Sequence, residues 1–591
     1  MTTKQGPQHP SPTRRRAAAG LAAAVTGLAG TGLGAGVLAA PATAGEADRS
    51  ARVATIRVAT EQQLRDAVRR AGGDRAVRIE LTRDLTLRQD GEGPRRGDLD
   101  VAGTVTVIGA GRTIDARGID RIFDVAEGGR LLLRGVGLTG GRAPEGENGG
   151  AVRSAGVLQV VGGSITASIA RGELASGGAI SNEGGELAVS RTVVRGNSAT
   201  RAGGGIEAVG GTTELTGVSL RGNETGAVPG NGGGLHLTGE GTVTVVGGVV
   251  RDNVASAEGG GLWNSADGTM TVRGTRILQN EARGAAADQG GGGLYNDGGS
   301  LRVEKAVLED NTATGTAGSG GGILNAAGVL TVVGGRIEGN TAVRAGGGIE
   351  AVAGSTVVEG TTVRANAAGA TPGNGGGLHL TGAGTVEIVE ATVVANTATA
   401  EGGGLWNSAE GTMTVRDSLI ARNSAAGAGA DQGGGGLYND GGDLTVETST
   451  VRDNLASGTA GSGGGLLDVG GSVQLDDTTF ADNRSQRAGG AVETAAGTVQ
   501  LTGVTMTGNI TGTAPGNGGG LHVTGQGIVL WNGGTVTGNT ASAQGGGLWN
   551  SATGLFVAVG LEIGDNTAPT GADSYNDGGL MLINLLPVLP G

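Results

Sequence analysis

The sequence predicts an all-β solenoid of about 16 to 18 stacked coils, with a capping helix at its N-terminal end. A phrase of two or three glycines leading into an aliphatic residue recurs fifteen times, at intervals of roughly 26 to 32 residues. The five intervals between Ile206 and Ile349 recur in the same order between Ile349 and Val492. This pattern indicates a coil that was wound many times and then duplicated in blocks of five turns, each of about 143 residues.

The composition supports a thin aliphatic core and not a conventional globular one. Glycine contributes 128 of 591 residues, aromatic residues only 2%, and there are 12 prolines. Glycine at this level without a strict triplet repeat excludes collagen. A stack of coils can bury one rung of Val, Ile and Leu per turn without large side chains.

One coil, residues 259–282, shows how the strands are predicted. Leu262-Trp263-Asn264 forms a short strand with Leu262 inward, and residues 269–272 alternate with a period of two. Residues 275–280 form a third strand, with glycine turns between the strands. A helical repeat is excluded, because no coil contains ten glycine-free residues with a 3.6-residue period.

A second marker, an aliphatic or aromatic residue followed three positions later by asparagine, ends each coil. Asparagine tolerates turn conformations, and amides stacked one per coil can hydrogen-bond along the axis as a ladder. The alternative interpretation is a binding stripe lined by asparagine. The residues are Asn197, Asn223, Asn253, Asn280, Asn311, Asn340, Asn366, Asn396, Asn423, Asn454, Asn483, Asn509, Asn539 and Asn566.

The first 44 residues are predicted to be a signal peptide. Three arginines at 14–16 precede an uncharged apolar stretch over 17–40, and Ala-Thr-Ala at 42–44 resembles a cleavage site. The paired arginines are compatible with Sec or twin-arginine export, and a retained membrane anchor is the alternative. We therefore expect a secreted, extracellular or cell-envelope protein without a membrane-spanning segment after cleavage.

The charge of the chain argues against nucleic acid as a partner. Removal of residues 1–44, which carry four basic and no acidic residues, changes the formal charge from −13 to −17. The chain has no cysteine, so stability must come from stacking and not from disulfides.

Residues 45–148 are predicted to form the N-terminal cap and the first irregular coils. Thr60 and Gln63 form a capping box for a helix over 60–71, which would cover the first rung. Strands are expected at 77–81, 85–87, 105–108, 122–125 and 131–133. The regular coils are expected over 149–579, and an apolar tail over 580–591 is too short to span a bilayer.

The repeat markers resemble those of the chlamydial polymorphic outer-membrane proteins, whose motifs are GGA followed by Ile, Leu or Val, and F-x-x-N. Residues 149–152, 177–180 and 489–492 match the first motif, and residues 480–483 match the second. The resemblance covers roughly residues 149–566. The membrane anchoring of that family is not expected here, because twelve residues follow Gly579.

The segment 60–87 also resembles exported bacterial proteins of the pectin-lyase type. The resemblance implies a right-handed parallel β-helix, together with secretion or surface display. On this fold it implies, for an enzyme, cleavage of a polysaccharide by clustered carboxylates, with calcium or an arginine base.

Aromatic and histidine side chains are the candidate ligand-binding residues. They directly follow inward aliphatic positions, so alternation predicts that they point outward as a sparse exposed face able to stack on sugar rings. Surface decoration copied by block duplication is the alternative interpretation. The residues are Trp263, Trp406, Trp549, Tyr295, Tyr438, His236, His379 and His522, with Tyr575 at the same place in the last block.

No catalytic, cofactor-binding or metal-binding residue is predicted. The three histidines after the leader are one block apart, and five coils at about 4.8 Å each separate them too widely to share a metal ion. The acids to consider are Asp288 and Asp297, Asp431 and Asp440, and Asp573 and Asp577, but each pair recurs as a scaffold feature would. The only unique stretch, residues 88–148, contains Asp115, Asp120 and Asp124 alternating with Arg112, Arg117 and Arg121.

The sequence thus predicts a secreted or surface β-helix with a structural, adhesin-like role and an extracellular glycan or surface protein as partner. The alternative is a polysaccharide lyase or glycoside hydrolase on the same fold. Outward threonine pairs such as Thr269 and Thr271 also suggest ice binding as a function, but such pairs are not present in every coil.

Overall fold

The computed structural model describes residues 55–72, 75–88, 97–370 and 372–591. The predicted signal peptide at 1–44 lies outside the described residues. In the described part of the chain, no helix is both long and apolar enough to cross a membrane.

The described chain is a parallel β-helix, as predicted. Each regular coil contributes a strand to each of three parallel faces, named here sheets A, B and C, and a fourth, two-residue strand to a small sheet D. In the coil of Leu262 these are Leu262–Asn264, Thr269–Arg273, Arg276–Leu278 and Glu281–Ala282. The sequence predicted the first three strands of this coil but not the fourth.

The strands of each sheet lie one above another along the axis. Sheet A contains Leu99–Val101, Phe123–Val125, Val152–Ser154, Ile180–Glu183, Ile206–Val209, Leu235–Thr238, Leu262–Asn264, Leu294–Asn296, Ile323–Asn325, Ile349–Ala351, Leu378–Leu380, Leu405–Asn407, Val492–Thr494, Leu521–Val523, Leu548–Asn550 and Ser574–Asn576. Sheet B contains Thr55–Val58, Ala76–Leu81, Thr104–Ile108, Glu186–Ser190, Thr212–Thr216, Thr242–Val246, Thr269–Arg273, Ser300–Glu304, Val329–Val333, Gly354–Glu359, Gly384–Val389, Thr412–Arg416 and Leu580–Ile583. Sheet C contains Leu85–Thr86, Thr113–Asp115, Val193–Arg195, Ser219–Arg221, Val249–Arg251, Arg276–Leu278, Val307–Glu309, Arg336–Glu338, Thr362–Arg364, Thr392–Val394, Leu419–Ala421, Thr450–Arg452 and Thr479–Ala481.

Some strands bend from one sheet into the next without interruption. Leu437–Glu447 and Leu466–Asp476 run through sheets A and B, and Arg130–Thr139, Val157–Thr166, Thr498–Thr507, Ile528–Thr537 and Leu555–Gly564 run through sheets B and C. Sheet D contains Ile169–Ala170, Ser198–Ala199, Glu224–Thr225, Val254–Ala255, Glu281–Ala282, Thr312–Ala313, Thr341–Ala342, Ala367–Ala368, Thr397–Ala398, Ser424–Ala425, Leu455–Ala456, Arg484–Ser485 and Ile510–Thr511. With its two long members, sheet A has eighteen rungs among the described residues, about 80 to 90 Å of rod at the usual strand spacing.

A single aliphatic core fills the inside of the coil. The alternating burial of strands such as Thr269–Arg273 places Met270 and Val272 inward, and their register partners above and below are also buried. One continuous cluster of buried residues runs from Val58 to Met581. The buried residues of this cluster are mostly Val, Leu, Ile and Ala, with few aromatic side chains.

The N-terminal helix, Glu61–Val68, covers the first rungs as expected. Thr60 Oγ1 accepts a hydrogen bond from the Gln63 N–H (3.3 Å), and Gln63 Oε1 accepts one from the Ala59 N–H (2.8 Å). Leu64 and Val68 are buried in the continuous core. The helix is shorter than the predicted span of 60–71.

The C-terminal residues continue the coil for one more strand. Leu580–Ile583 pairs in parallel with Leu555–Gly564, and Leu586–Pro587 turns back antiparallel to it. Met581 is buried and Val588 packs against the core, whereas Leu585 and Leu586 are exposed.

The asparagine ladder is confirmed. Asn253 donates from its backbone N–H and from Nδ2 to Asn280 Oδ1 (3.1 and 2.9 Å), and its Nδ2 also donates to Leu220 O in the preceding coil (3.1 Å). The same pattern continues without a break from Asn197 to Asn566, where Asp573 Oδ1 accepts the last amide (3.0 Å). Because these amides are buried, each bond lost would leave a buried polar group unpaired.

A second, interrupted ladder lies at the end of the sheet A strands. In the first block Asn264, Asn296 and Asn325 are linked by Nδ2-to-Oδ1 hydrogen bonds of 2.7 Å. In the second block the residue equivalent to Asn325 is Asp468, which accepts from Asn439 Nδ2 (2.9 Å) and Thr494 Oγ1 (2.8 Å). Burial raises the pKa of Asp468 to about 6, although both hydrogen bonds act in the opposite direction.

Removal of one complete block is predicted to leave a shorter but intact rod. Ile349 and Val492 occupy equivalent positions, because each pairs with the first residue of the preceding sheet A strand. Deletion of residues 349–491 therefore restores the register, and we expect a soluble protein with one cooperative thermal transition by circular dichroism. Deletion of residues 349–485, which is out of phase, is the control and should aggregate; aggregation of the in-phase variant would contradict the prediction.

The variant Asp468→Asn is predicted to be more stable than the wild type at neutral pH. The raised pKa means that the folded state holds the proton more tightly, so the charged carboxylate penalises folding above about pH 6 and the penalty disappears below about pH 4. A shift of this size corresponds to about 2–3 kcal/mol of unfolding free energy, measured by denaturant titration at pH 7.5 and again at pH 4. An equal effect at the two pH values would be evidence against a titrating carboxylate.

Candidate functional site

The candidate site is a file of outward-pointing side chains on sheet A, named here the outward file. These residues directly follow the inward aliphatic residue of each strand and are register partners from coil to coil. The file reads Glu207, His236, Trp263, Tyr295, Leu324, then Glu350, His379, Trp406, Tyr438, Leu467, and then Glu493, His522, Trp549, Tyr575. The same pentad is therefore repeated with the five-coil block.

The rings of the outward file stack on one another along the rod axis. The ring centroids of His236 and Trp263 are 4.2 Å apart with planes 19° from parallel, and those of Trp263 and Tyr295 are 6.0 Å apart. In the second block His379, Trp406 and Tyr438 repeat this arrangement at 4.3 and 5.9 Å. Such pairs add about 0.5–1.5 kcal/mol beyond the area they bury.

The expected exposure of this face was wrong for most of its residues. His236, Trp263 and Tyr295 are 3%, 8% and 4% exposed. The corresponding residues His379, Trp406, Tyr438 and His522 are equally buried, and only Trp549 and Tyr575 are partly exposed. Whether any of these residues binds a ligand stays a prediction.

The cause of the burial is the segment that leads from sheet D into the next sheet A strand. This segment folds back over the outward file: Tyr295 Oη donates to Asp288 O (3.1 Å), and Trp263 Nε1 donates to Glu258 Oε2 (3.1 Å). The glycine that ends the segment is close to the file, since a Cβ at Gly259 would lie 2.9 Å from the Trp263 Cβ. A side chain that points outward from a sheet A strand is therefore not necessarily exposed to solvent in this protein.

A buried glutamate begins each pentad and is held by several partners. Glu207 Oε1 lies 3.1 Å from His236 Nδ1, accepts from Thr238 Oγ1 (2.6 Å) and lies 3.8 Å from Arg201 Nη1. The other blocks contain the same group, namely Arg344, Glu350, His379 and Thr381, and Arg487, Glu493, His522 and Thr524.

At Glu350 and Glu493 the effect of the partners on the carboxyl pKa outweighs the effect of burial. Burial alone would raise the pKa of Glu350 and Glu493, but the histidine, the arginine and the threonine hydroxyl lower it, to about 2 for Glu493. The carboxylates of Glu350 and Glu493 are therefore ionised at neutral pH and hydrogen-bonded to neighbouring side chains. A carboxylate in this state orients the histidine below the indole and is not a proton donor.

The acceptor of the indole N–H differs between the three copies of the pentad, one in each block. Burial raises the pKa of Glu258 and Glu401, which accept from Trp263 and Trp406. In the third copy Gln544 takes this place and accepts from Trp549 Nε1 at 3.2 Å. The third copy consequently has an uncharged acceptor where the first two have a carboxylate.

An open groove of about 320 Å³ lies beside the third copy. Its lining includes Trp549 and His522 with the polar side chains of Arg487, Asn517 and Asp577. Asn517 Oδ1 is buried and has no hydrogen-bond partner among the described residues. The groove thus combines an indole edge with donors and acceptors of hydrogen bonds.

The aspartates considered from the sequence do not form a uniform site. Burial raises the pKa of Asp297 and Asp440. Asp288 contributes a backbone oxygen to Tyr295, as Asp431 does to Tyr438. Asp573 ends the asparagine ladder and Asp577 lines the groove, so the third pair has two different roles. Within the described ranges, no three His, Asp or Glu side chains are arranged to hold a metal ion.

The unique N-terminal stretch forms an ion-pair network around one buried arginine. Arg121, 2% exposed, lies 2.9 Å from Asp98, 3.2 Å from Asp124 and 2.8 Å from Glu147. Burial raises the pKa of Asp120 and Asp124. Arg112 and Arg117 are exposed, and Asp115 accepts a hydrogen bond from the Arg117 N–H in a turn. Of the alternating acidic and basic residues considered from the sequence, only part therefore meets in this network. The guanidinium itself fills the space between the carboxylates.

The sequence did not single out the glutamates of the outward file. Their signal was present, because Glu207, Glu350 and Glu493 recur with the block, and each lies one coil before a histidine. The arginines at 201, 344 and 487 follow the same spacing. A search for every polar residue with the block period would have found the complete group.

The comparisons with known proteins agree with the fold over part of the chain. A family model described as right handed beta helix region matches residues 362–541. No curated protein and no solved structure matches the chain. The protein is therefore a right-handed parallel β-helix repeat protein.

Proposed function

We propose that this chain is a secreted or cell-surface rod with a structural, adhesin-like role, and that it binds an extracellular glycan in the groove of the third copy. The observation that supports this function most is the groove beside Trp549, where the outward file opens to solvent. An indole with adjacent hydrogen-bonding groups suits a sugar ring, which has an apolar face and a polar rim. Export is supported by the sequence pattern of residues 1–44.

The difference between the copies favours a single binding position over three equal ones. In the first two blocks the tryptophan lies between a histidine and a tyrosine and is 8% exposed. In the third block Trp549 stacks on His522, with ring centroids 4.3 Å apart, and has Tyr575 as its next register partner, yet it remains partly exposed. The first two blocks then act as a spacer between the N-terminal end of the rod and the open groove.

The polysaccharide-cleaving alternative receives less support from the same region. Cleavage by paired carboxylates requires two acids that reach the substrate and differ in protonation. The buried glutamates of the outward file are instead held by histidine, threonine and arginine.

The variant Trp549→Ala is predicted to lose glycan binding. A glycan array probed with the chain from Gly45 onward should identify ligands, and the variant should bind them about tenfold more weakly, since loss of one stacking contact costs about 1 kcal/mol or more. Trp406→Ala is the matched control: it occupies the same position one block earlier, where the indole is enclosed, and should bind like the wild type.

Other outcomes of this experiment would contradict the proposal. Equal loss in the two variants would indicate general destabilisation, which circular dichroism of each variant would reveal. Binding of surface proteins without any glycan would favour the protein ligand. New reducing ends or unsaturated products would favour the enzyme.

A further inference from the structure

An arginine file on sheet C is a basic surface feature of the described rod. Arg195, Arg221 and Arg251 end three consecutive strands and are direct register partners. Neighbouring strands are about 4.8 Å apart, so the outer two are about 10 Å apart along the axis. Arg191, in the turn that precedes the first of these strands, adds a fourth guanidinium.

Most of these arginines have no partner among the residues that the structure describes. In the described part of the chain, the side chains of Arg191, Arg195 and Arg221 form no ion pair or hydrogen bond and are exposed, whereas Arg251 contacts Asp252 and Gln279. Like charges directly opposite on neighbouring strands are destabilising. The folded chain therefore carries a local electrostatic cost that an anionic ligand would relieve.

The second block shows that the scaffold does not require this arrangement. At the equivalent positions it has Glu338, Arg364 and Val394. Glu338 accepts a hydrogen bond from Arg364 and forms an ion pair with Arg336. The two copies share one backbone register, yet among the described residues the first leaves Arg195 and Arg221 unpaired, whereas the second pairs Arg364 with Glu338.

The distribution of charge restricts where a polyanion could bind. Residues 257–591 contain 13 basic and 30 acidic residues, a net charge of −17, whereas residues 45–256 contain 25 of each. Most of the rod would therefore repel an anionic polymer. The arginine file lies in the electrically neutral part.

We propose that the arginine file binds a linear anionic polysaccharide whose carboxylates or sulfates recur along the chain, with the polymer aligned to the rod axis. Guanidinium groups bind both anions through paired hydrogen bonds, and a straight file of them suits a flexible chain with regularly spaced charges. A nucleic acid duplex is a weaker fit, because it needs many phosphate contacts over a broad positive surface. This site is on sheet C, separate from the groove on sheet A, and does not depend on the glycan proposed there.

The variant Arg195→Glu tests the proposal with a change that the protein already contains. It places glutamate beside Arg221, as Glu338 lies beside Arg364, so the fold should be retained. Binding to an immobilised polyuronate and to a sulfated glycosaminoglycan, measured at low salt, should fall at least tenfold. Arg484→Glu makes the same change of charge at an exposed position on sheet D and should leave binding within twofold.

Each result of this comparison has a defined meaning. Unchanged binding by Arg195→Glu, or equal loss in the two variants, would overturn the proposal, as would a wild-type protein that binds neither polysaccharide. Tighter binding to duplex DNA than to the polysaccharides would overturn the choice of ligand. The variant Trp549→Ala should bind the polyanions like the wild type, which separates a failure of this site from a failure of the groove.

Discussion

The structure depends on one constraint: each coil must lie directly above the previous one, in the same register. The asparagine ladder enforces this constraint from inside, because each amide is bonded to the next coil and to the backbone of the preceding one. A shift by one residue would turn every inward aliphatic side chain outward. The ladder and the aliphatic core therefore specify the same register, and the files of like residues on the outside follow from it.

The periodicity of the sequence was enough to predict the coil, its block structure and the ladder, because these features depend on spacing, and the local capping box of Thr60 and Gln63 predicted the helix. The exposure of Trp263 and Tyr295 was predicted wrongly, because alternation describes only the strand. What covers them is the glycine-rich segment before each strand, and its path depends on turn conformations that the pattern does not encode. The network of Arg121 was likewise only partly visible, since Asp98 and Glu147 belong to neighbouring coils.

The three blocks share a scaffold but differ in their polar side chains, and these differences carry the functional argument. Gln544 replaces a carboxylate at the third indole, and Trp549 is the most exposed tryptophan of the outward file. On another face, arginine in the first block corresponds to glutamate in the second. Duplication provides register and length, whereas substitution at single positions provides sites with different chemistry.

In-register stacking of the coils requires that register partners on successive coils are neighbours in solution. Gln474 and Gln500 are exposed register partners on sheet B, and the chain has no native cysteine, so a double-cysteine variant gives an unambiguous reading. Dibromobimane, which links thiols only when they are close together, should bridge Gln474→Cys with Gln500→Cys rapidly in the folded protein. It should bridge Gln474→Cys with Thr502→Cys, two residues out of register, much more slowly. Equal rates for the two pairs, or faster bridging of the displaced pair, would contradict the in-register stack.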